Sequence, residues 1–326
     1  ARKFASNFDR EELKEAVRYC HLYGVRLFIT VNTMIYETEI EEVMDYLCYL
    51  VELSVDAVIV QDIGLIRLIH EYFPTLEIHA STQLHNYQKS SFDLLEELGV
   101  KRVVLAREAS LGEIEKIETP LEKEVFIHGA ICISYSGQCL FSSQVLGRSG
   151  NRGECAGMCR LPYSVVDENQ EEILPNQYLL SPKDLCTISH FRKLMESDVD
   201  SFKIEGRMKS PAYVYYVTRI YRTLMDQYYE GKNLEISEEE WKNLKLLFHR
   251  GFTEGHLFDA KDSNFMNVES PNHIGIDLGM VKSFSKKKIE IVLHEDLHQE
   301  DGIRFEANGG GMIVNYEPNP RCADSC

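Results

Sequence analysis

The sequence contains no stretch approaching the roughly 18 uninterrupted apolar residues of a membrane span. Its opening, ARKFASNFDREELKEAV, has no apolar signal-peptide core. Neither a membrane nor a secretory route is therefore expected, and the expectation is a cytoplasmic protein. Positive charge is also short: 35 Lys and Arg face 52 Asp and Glu, for a formal charge of −17. That balance opposes non-specific attraction to polyanions, so any nucleic acid must be held by a local basic patch. HExxH, GxSxG, a P-loop and a strand-borne GxGxxG are all missing, as are low-complexity tracts and solenoid repeats. Zincin, serine-hydrolase, nucleotide-hydrolase and dinucleotide-binding readings lose their sequence basis with them.

What the chain does have is 326 residues, 44% of them hydrophobic. That is enough for a sizeable core and a second, smaller unit. From residue 9 onward, amphipathic helices alternate with short apolar runs ending in polar residues. DREELKEAVRYCHLYG spaces Leu13, Val17 and Cys20 on one helical face, and Gly24 offers a left-handed cap. TEIEEVMDYLCYLVELSV does the same with Ile40, Val43, Met44, Leu47 and Val51.

Between the helices lie RLFITVN, DAVIVQD, EIHASTQ, KRVVLARE, EVFIHG, QYLLSPKD and SFKIEGR. Such Val/Ile/Leu runs predict parallel strands buried on both faces. Seven strands are one short of a closed eight-stranded barrel, and the chain starts almost directly on a helix. The predicted class is α/β, an incomplete TIM-like β/α barrel followed by a small C-terminal all-β domain. The expected divisions are residues 1–230 for the barrel, 231–270 for a helical connector and 271–326 for the β domain, which ends abruptly. Helices are expected over 212–230 and 238–248, and short Gly- and Asp-bounded strands from 271 onward.

Nine cysteines are distributed unevenly. Cys20 and Cys48 sit among apolar helix positions and read as core. Cys322 and Cys326 close the chain. Cys132, Cys139, Cys155 and Cys159 fall within 28 residues, separated by six, fifteen and three residues. Even spreading would put about one cysteine there. Glycines 129, 137, 147, 150, 153 and 157 and several serines fill the intervals, so the backbone can wrap an inorganic core and donate amide N–H groups to sulfur. Four thiolates suit a [4Fe-4S] cluster or tetrahedral zinc. Structural zinc favours two tight C-x2-4-C pairs, and only Cys155 and Cys159 form one, which tilts the reading toward iron–sulfur.

Catalytic residues of β/α barrels lie at the carboxyl ends of strands. Asn32, Gln61, Asp62, Gln83, Arg107, Glu108, His128, Lys183, Asp184, Lys203, Glu205 and Arg207 all occupy such ends. His128, Asp62 and Glu205 are the candidate catalytic groups. Arg107, Lys203, Arg207 and Lys209 are the candidate binders of a phosphate backbone or a small dicarboxylate. Arg148, Arg152 and Arg160 add local positive charge. Arg107 with Glu108, and Lys203 with Glu205 and Arg207, serve equally well as structural ion pairs. His79, inside its strand, reads as a core histidine.

EVFIHGAICISYSGQCLFS resembles the signature of the collagenase-like peptidase family U32, and LLSPKDL and SFKIEGRMKSPAYV resemble two further blocks of that family. The resemblance covers about residues 1–270. It implies a fragment lacking a first strand and Gly-rich turn. It also implies oxygen-independent hydroxylation at a [4Fe-4S] cluster. One branch makes 5-hydroxyuridine in tRNA with prephenate as the implied hydroxyl source, another 5-hydroxycytidine in 23S rRNA, and a third acts on ubiquinone precursors. The local C-x3-C of Cys155 and Cys159 is similar to the RNA-modifying branches. In the quinone branch the fourth ligand is displaced, and Cys186 would be the spare candidate. Two alternatives stand beside this one: a peptidase with Cys132 as nucleophile and His128 as base, and a non-enzymatic partner module stabilised by metal.

Overall fold

The computed structural model describes residues 5, 7–258, 265–285, 289–305 and 311–313. Cys322 and Cys326 lie outside the described residues. The chain divides into two units, Ala1–Ile274 and Gly275–Cys326. Residues 231–270, expected as a connector, fall inside the first unit.

Helix α1 (Arg10–Leu22) starts at Asp9, whose carboxylate accepts from the Glu12 N–H while Glu12 returns a bond to the Asp9 N–H. This reciprocal box satisfies two otherwise unpaired amides. Gly24 follows at φ 67°. Strand β1 (Phe28–Val31), helix α2 (Ile40–Glu52), strand β2 (Ala57–Val60), helix α3 (Ile63–Tyr72), strand β3 (Glu77–Ala80), helix α4 (Lys89–Glu97), strand β4 (Arg102–Val104), the short helix α5 (Leu111–Ile114) and strand β5 (Glu122–Ala130) continue the alternation. After β5 come helix α6 (Phe141–Leu146) and a hairpin of β6 (Tyr163–Val166) and β7 (Glu172–Gln177). Then follow β8 (Asp184–Cys186), α7 (Phe191–Met195), β9 (Ser201–Ile204), α8 (Pro211–Tyr229), α9 (Glu238–Leu247) and β10 (Phe252–Thr253). Both long C-terminal helices therefore form where periodicity places them. Ser210 and Ser237 cap them through bonds to the N–H groups of Tyr213 and Glu240.

One mixed α/β sheet results, with β1 to β5 neighbouring in chain order and parallel. The start and middle of β5 also pair with β9 in parallel, whereas its end, His128 to Ala130, pairs antiparallel with β8, which leads to β10. Strand β2 is buried throughout, as a central parallel strand flanked by helices requires. No ladder joins β1 to β9 or β10 among the described residues.

Two features depart from the expected strands. QYLLSPKD holds only the last residue of β7 and the first of β8, with a turn between them: Ser181 N–H bonds back to the Tyr178 carbonyl, and Pro182 has no N–H for a ladder. The β6–β7 hairpin is unanticipated, because its residues are largely exposed and show no core-facing pattern.

The main core joins α1 to α4, the sheet and α8, with Leu47, Leu50, Val58, Ile66, Phe92, Phe191, Val217 and Leu224 fully buried. At the amino end of β4 and β5 sits a buried ion network. Arg102 donates to Glu122 (2.7 Å) and Glu124 (3.1 Å), and Lys203 to Glu124 (2.6 Å). Burial pushes Glu124 up, but Lys203 and Arg102 outweigh it and hold the carboxyl below the usual range. Lys203 is thus engaged in an ion pair with Glu124.

The second unit contains two antiparallel pairs, β11 (Gly279–Phe284) with β12 (Ile289–Leu293) and β13 (Gly302–Arg304) with β14 (Gly311–Ile313). No helix among the described residues is long and apolar enough to cross a membrane.

Candidate functional site

Polar residues gather at the carboxyl ends of β1 to β5, and the segment following β5 carries all four clustered cysteines. Its seating depends on two glycines. Gly129, at φ 107°, lies so close to the Glu205 carbonyl that a Cβ would come within 2.4 Å of it. Gly137, at φ 73°, would place a Cβ 1.9 Å from the Gln83 carbonyl. A side chain at either position meets both strain and a backbone clash. Asn151 donates to the Gly137 carbonyl at 2.9 Å, tying the two halves of the cysteine loop together.

The four thiols lie within charge–charge range. Ionised Cys132, Cys155 or Cys139 each oppose ionisation of Cys159, and Cys139 and Cys155 do the same to Cys132. Burial pushes both Cys132 and Cys159 up. Opposing this, the Ser134 N–H and the Arg107 charge favour the Cys132 thiolate, and Arg160 favours that of Cys159. Cys155 receives the Gly157 N–H at 3.4 Å and the Ser142 hydroxyl at 3.9 Å. These donors are the kind that stabilise thiolate ligands and set their potential. Among the described residues no group of three or more His, Cys, Asp or Glu is arranged as it stands to hold a metal ion. Cys186 stands apart, buried in β8, its thiol pushed up to about 12 by desolvation.

Arg107 donates to Glu205 at 2.8 Å and lies over the Phe126 ring, 3.8 Å from its centroid. Both residues flank the cysteine loop as an ion pair, so neither is an isolated charge. Arg160 donates to the Ser181 hydroxyl (2.7 Å) and to the Pro182 and Ile131 carbonyls. It thereby fastens the C-x3-C to the turn before β8. Arg152 is held by Glu39 and the Met34 carbonyl. Arg207 bonds Asn7 at 2.6 Å and Thr30 at 3.3 Å. Lys209 lies over the Phe248 ring. Burial brings its ammonium down to about 8, aided by Arg250 and Arg160 and opposed by Asp184 and Glu205.

Two expected catalytic groups have structural assignments instead. Asp62 caps α3, accepting from the Leu65 N–H (3.0 Å) and the Ile35 N–H (3.2 Å). Short polar residues at strand–helix junctions commonly do this, and the Asp-Ile-Gly start of α3 was the available signal. His128 is fully buried among Tyr213, Tyr221 and Phe252. Its Nδ1 faces the Tyr221 hydroxyl at 3.3 Å, and its Nε2 has no hydrogen-bond partner. The Cys132–His128 dyad of the peptidase reading is therefore not formed.

Burial also brings His128 down to about 4, with His249 and Lys209 lowering it and Asp184 raising it. The unfolded imidazole titrates near 6.5, so below that pH the unfolded chain gains a proton that the native state refuses. Stability is fully present above about pH 6.5 and is lost as pH falls toward 4. At pH 5 the cost should be about 2 kcal/mol relative to pH 7. Urea unfolding of wild type and His128→Gln at both pH values checks this: the variant should lose less on acidification, and equal losses would refute the assignment.

A mixed α/β sheet with a Gly-rich, four-cysteine segment at its strand ends defines a distinctive class. Residues 1–267 match the model of Peptidase family U32, and the chain belongs to that family. It is 36% identical to the 23S rRNA 5-hydroxycytidine C2501 synthase of Escherichia coli, over 93% of this chain and 47% of that protein. It is 37% identical to the tRNA hydroxylation protein P1 of Bacillus subtilis, over 74% of this chain and 59% of that protein. It is 35% identical to a collagenase of Porphyromonas gingivalis, over 79% and 65%. The chain thus spans about half to two thirds of the length of these relatives.

Proposed function

We propose that this chain is an RNA-modifying enzyme that hydroxylates uridine in tRNA to 5-hydroxyuridine. In this reading Cys132, Cys139, Cys155 and Cys159 hold a [4Fe-4S] cluster, and prephenate is the small carboxylate partner. The sheet would form part of a β/α barrel, with the cysteine loop at its mouth. The observation that carries the reading is the four-thiol group, its members in mutual charge range and supplied with N–H and O–H donors at sulfur. Similarity to proteins named for tRNA hydroxylation and for rRNA 5-hydroxycytidine synthesis supplies the substrate class.

Replacing the C5–H of uracil by C5–OH is a two-electron oxidation that also needs an oxygen atom, and this reading assigns the supply of the hydroxyl group to prephenate, which would be reduced by the same two electrons. A bound cluster would supply a one-electron-transfer or Lewis-acid centre. The chain's own groups do the positioning. Arg107, held by Glu205 and Phe126, sets a fixed positive charge beside Cys132. Lys209, half-desolvated, gains most from a carboxylate or phosphate that restores its partner. Arg207, at the end of β9, adds a second cation toward the side of β1.

Nucleoside analysis of tRNA from cells lacking the gene tests the proposal. Loss of 5-hydroxyuridine and its derivatives, restored by the wild-type gene, is expected. An unchanged tRNA profile would refute it.

A further inference from the structure

In-register pairing of β1, β2 and β3 puts Asn32, Gln61 and Ser81 in one row just beyond the last paired residues, Val31, Val60 and Ala80. The row is closely packed: Ser81 N–H bonds the Val60 carbonyl at 2.8 Å, and Asn32 Nδ2 reaches the Ser81 hydroxyl at 3.5 Å. Gln61 is only 5% exposed. Even so, Asn32 Oδ1 and Gln61 Oε1 are buried with no donor. Two buried acceptors left unpaired are costly, and reversing either amide would strand an N–H instead. Side-by-side unsatisfied carboxamides at strand ends are groups waiting for a planar partner that offers both N–H and C=O.

The short turn that begins at Ser81 ends on the first of three neighbouring rings. His85 adopts a left-handed backbone, φ 60° and ψ 47°, which few non-glycine residues do. Its ring lies 4.8 Å from that of Tyr87 and 5.2 Å from that of Tyr135. Tyr135 is 64% exposed and Tyr87 39%. The platform is braced from below. Glu108 accepts from the Ser136 N–H at 2.8 Å and lies 3.6 Å from His85, and Gly137 is pressed on Gln83. Tyr135 lies between Cys132 and Cys139, so the cysteine segment itself supplies one of the three rings.

We propose that Asn32, Gln61 and Ser81, with the rings of His85, Tyr87 and Tyr135, form a pocket for one extruded pyrimidine base of an RNA loop. This rests on the RNA reading above and adds to it the groups that recognise the base. A carboxamide matches the N3–H and C4 carbonyl of uracil in a two-point contact, and exposed rings stack on the base face. These are the two interactions by which flipped bases are read. An acidic chain gains little from the phosphate backbone alone, so affinity concentrated in one base also suits its net charge of −17.

The test is binding of hairpin RNAs with pyrimidine-rich loops to anaerobically purified protein, each hairpin carrying one abasic loop position. For wild type, one position should cost about tenfold in affinity and the others little. Tyr135→Ala, at an exposed site that leaves the fold intact, should weaken the unmodified hairpin by a similar factor and abolish the penalty at that position. Tyr135→Phe should restore it, and Gln61→Leu should behave as Tyr135→Ala does. Saturable binding with equal penalties at every position, or a penalty that survives in both Tyr135→Ala and Gln61→Leu, would overturn the pocket and leave the RNA reading standing. No saturable binding to any hairpin would overturn both.

Discussion

Serine in place of Cys132, Cys139, Cys155 or Cys159, one at a time, should strip most of the iron from anaerobically purified protein and abolish RNA hydroxylation. Wild type should be brown, with about four iron and four sulfide per chain, as a cubane on four thiolates requires. The expectation rests on the arrangement of the four sulfurs. The Cys132 and Cys159 thiols resist ionisation through burial and through their neighbours' charge. A cationic cluster core reverses both penalties at once, and losing one thiolate removes a quarter of that compensation. Cys20→Ala, Cys48→Ala and Cys186→Ala are the controls. Cys186 is buried in β8 with its thiol pushed up to about 12, so its removal should leave the iron content unchanged. Colourless wild-type protein with stoichiometric zinc would defeat the cluster assignment.

Sequence periodicity located β1 to β5, β9 and both long C-terminal helices because each depends on local burial or capping. Val58 and Val60 are buried in a central strand, and Ser210 and Ser237 begin helices where capping chemistry favours it. Reversal at the end of β5 was not legible. Whether Asp184 to Cys186 pairs parallel or antiparallel depends on the turn around Pro182 and on contacts with Gly251 and Phe265. The four cysteines were visible from spacing alone. Charged strand ends were not sorted by sequence, since Lys203, Arg107 and Asp62 look alike there. Only their partners, Glu124, Glu205 and the amides of Leu65 and Ile35, separate an internal ion pair and a helix cap from a mouth cation. Asn32 and Gln61 are legible in the sequence as strand ends, but that their carbonyls lack donors is a property of packing.

Breaking the Asp184–Arg250 pair should be the most destabilising single change near the site. Arg250 donates to Asp184 from its backbone N–H (2.8 Å), Nε (3.2 Å) and a terminal nitrogen (2.6 Å), and both side chains are nearly buried. Asp184→Ala leaves a guanidinium desolvated and unpaired, which costs about 3–5 kcal/mol. For a unit of this size that is a fall in Tm on the order of 10 °C. The bidentate pair also couples to the mouth, because the Asp184 charge opposes the downward pull on Lys209 more than that of Glu205 does. With Asp184 gone, only Glu205 still opposes Arg250 and Arg160 at Lys209, and its ammonium should titrate below about 8. Differential scanning calorimetry of Asp184→Ala and of Asp184→Leu with Arg250→Met tests the first part. The double variant removes both charges and should recover much of the loss, since a well-packed apolar pair replaces a buried ion pair at little net cost. The pH dependence of Lys209 acylation in Asp184→Asn tests the second. If the double variant were as unstable as Asp184→Ala, lost packing at β8 rather than an uncompensated charge would be the cause.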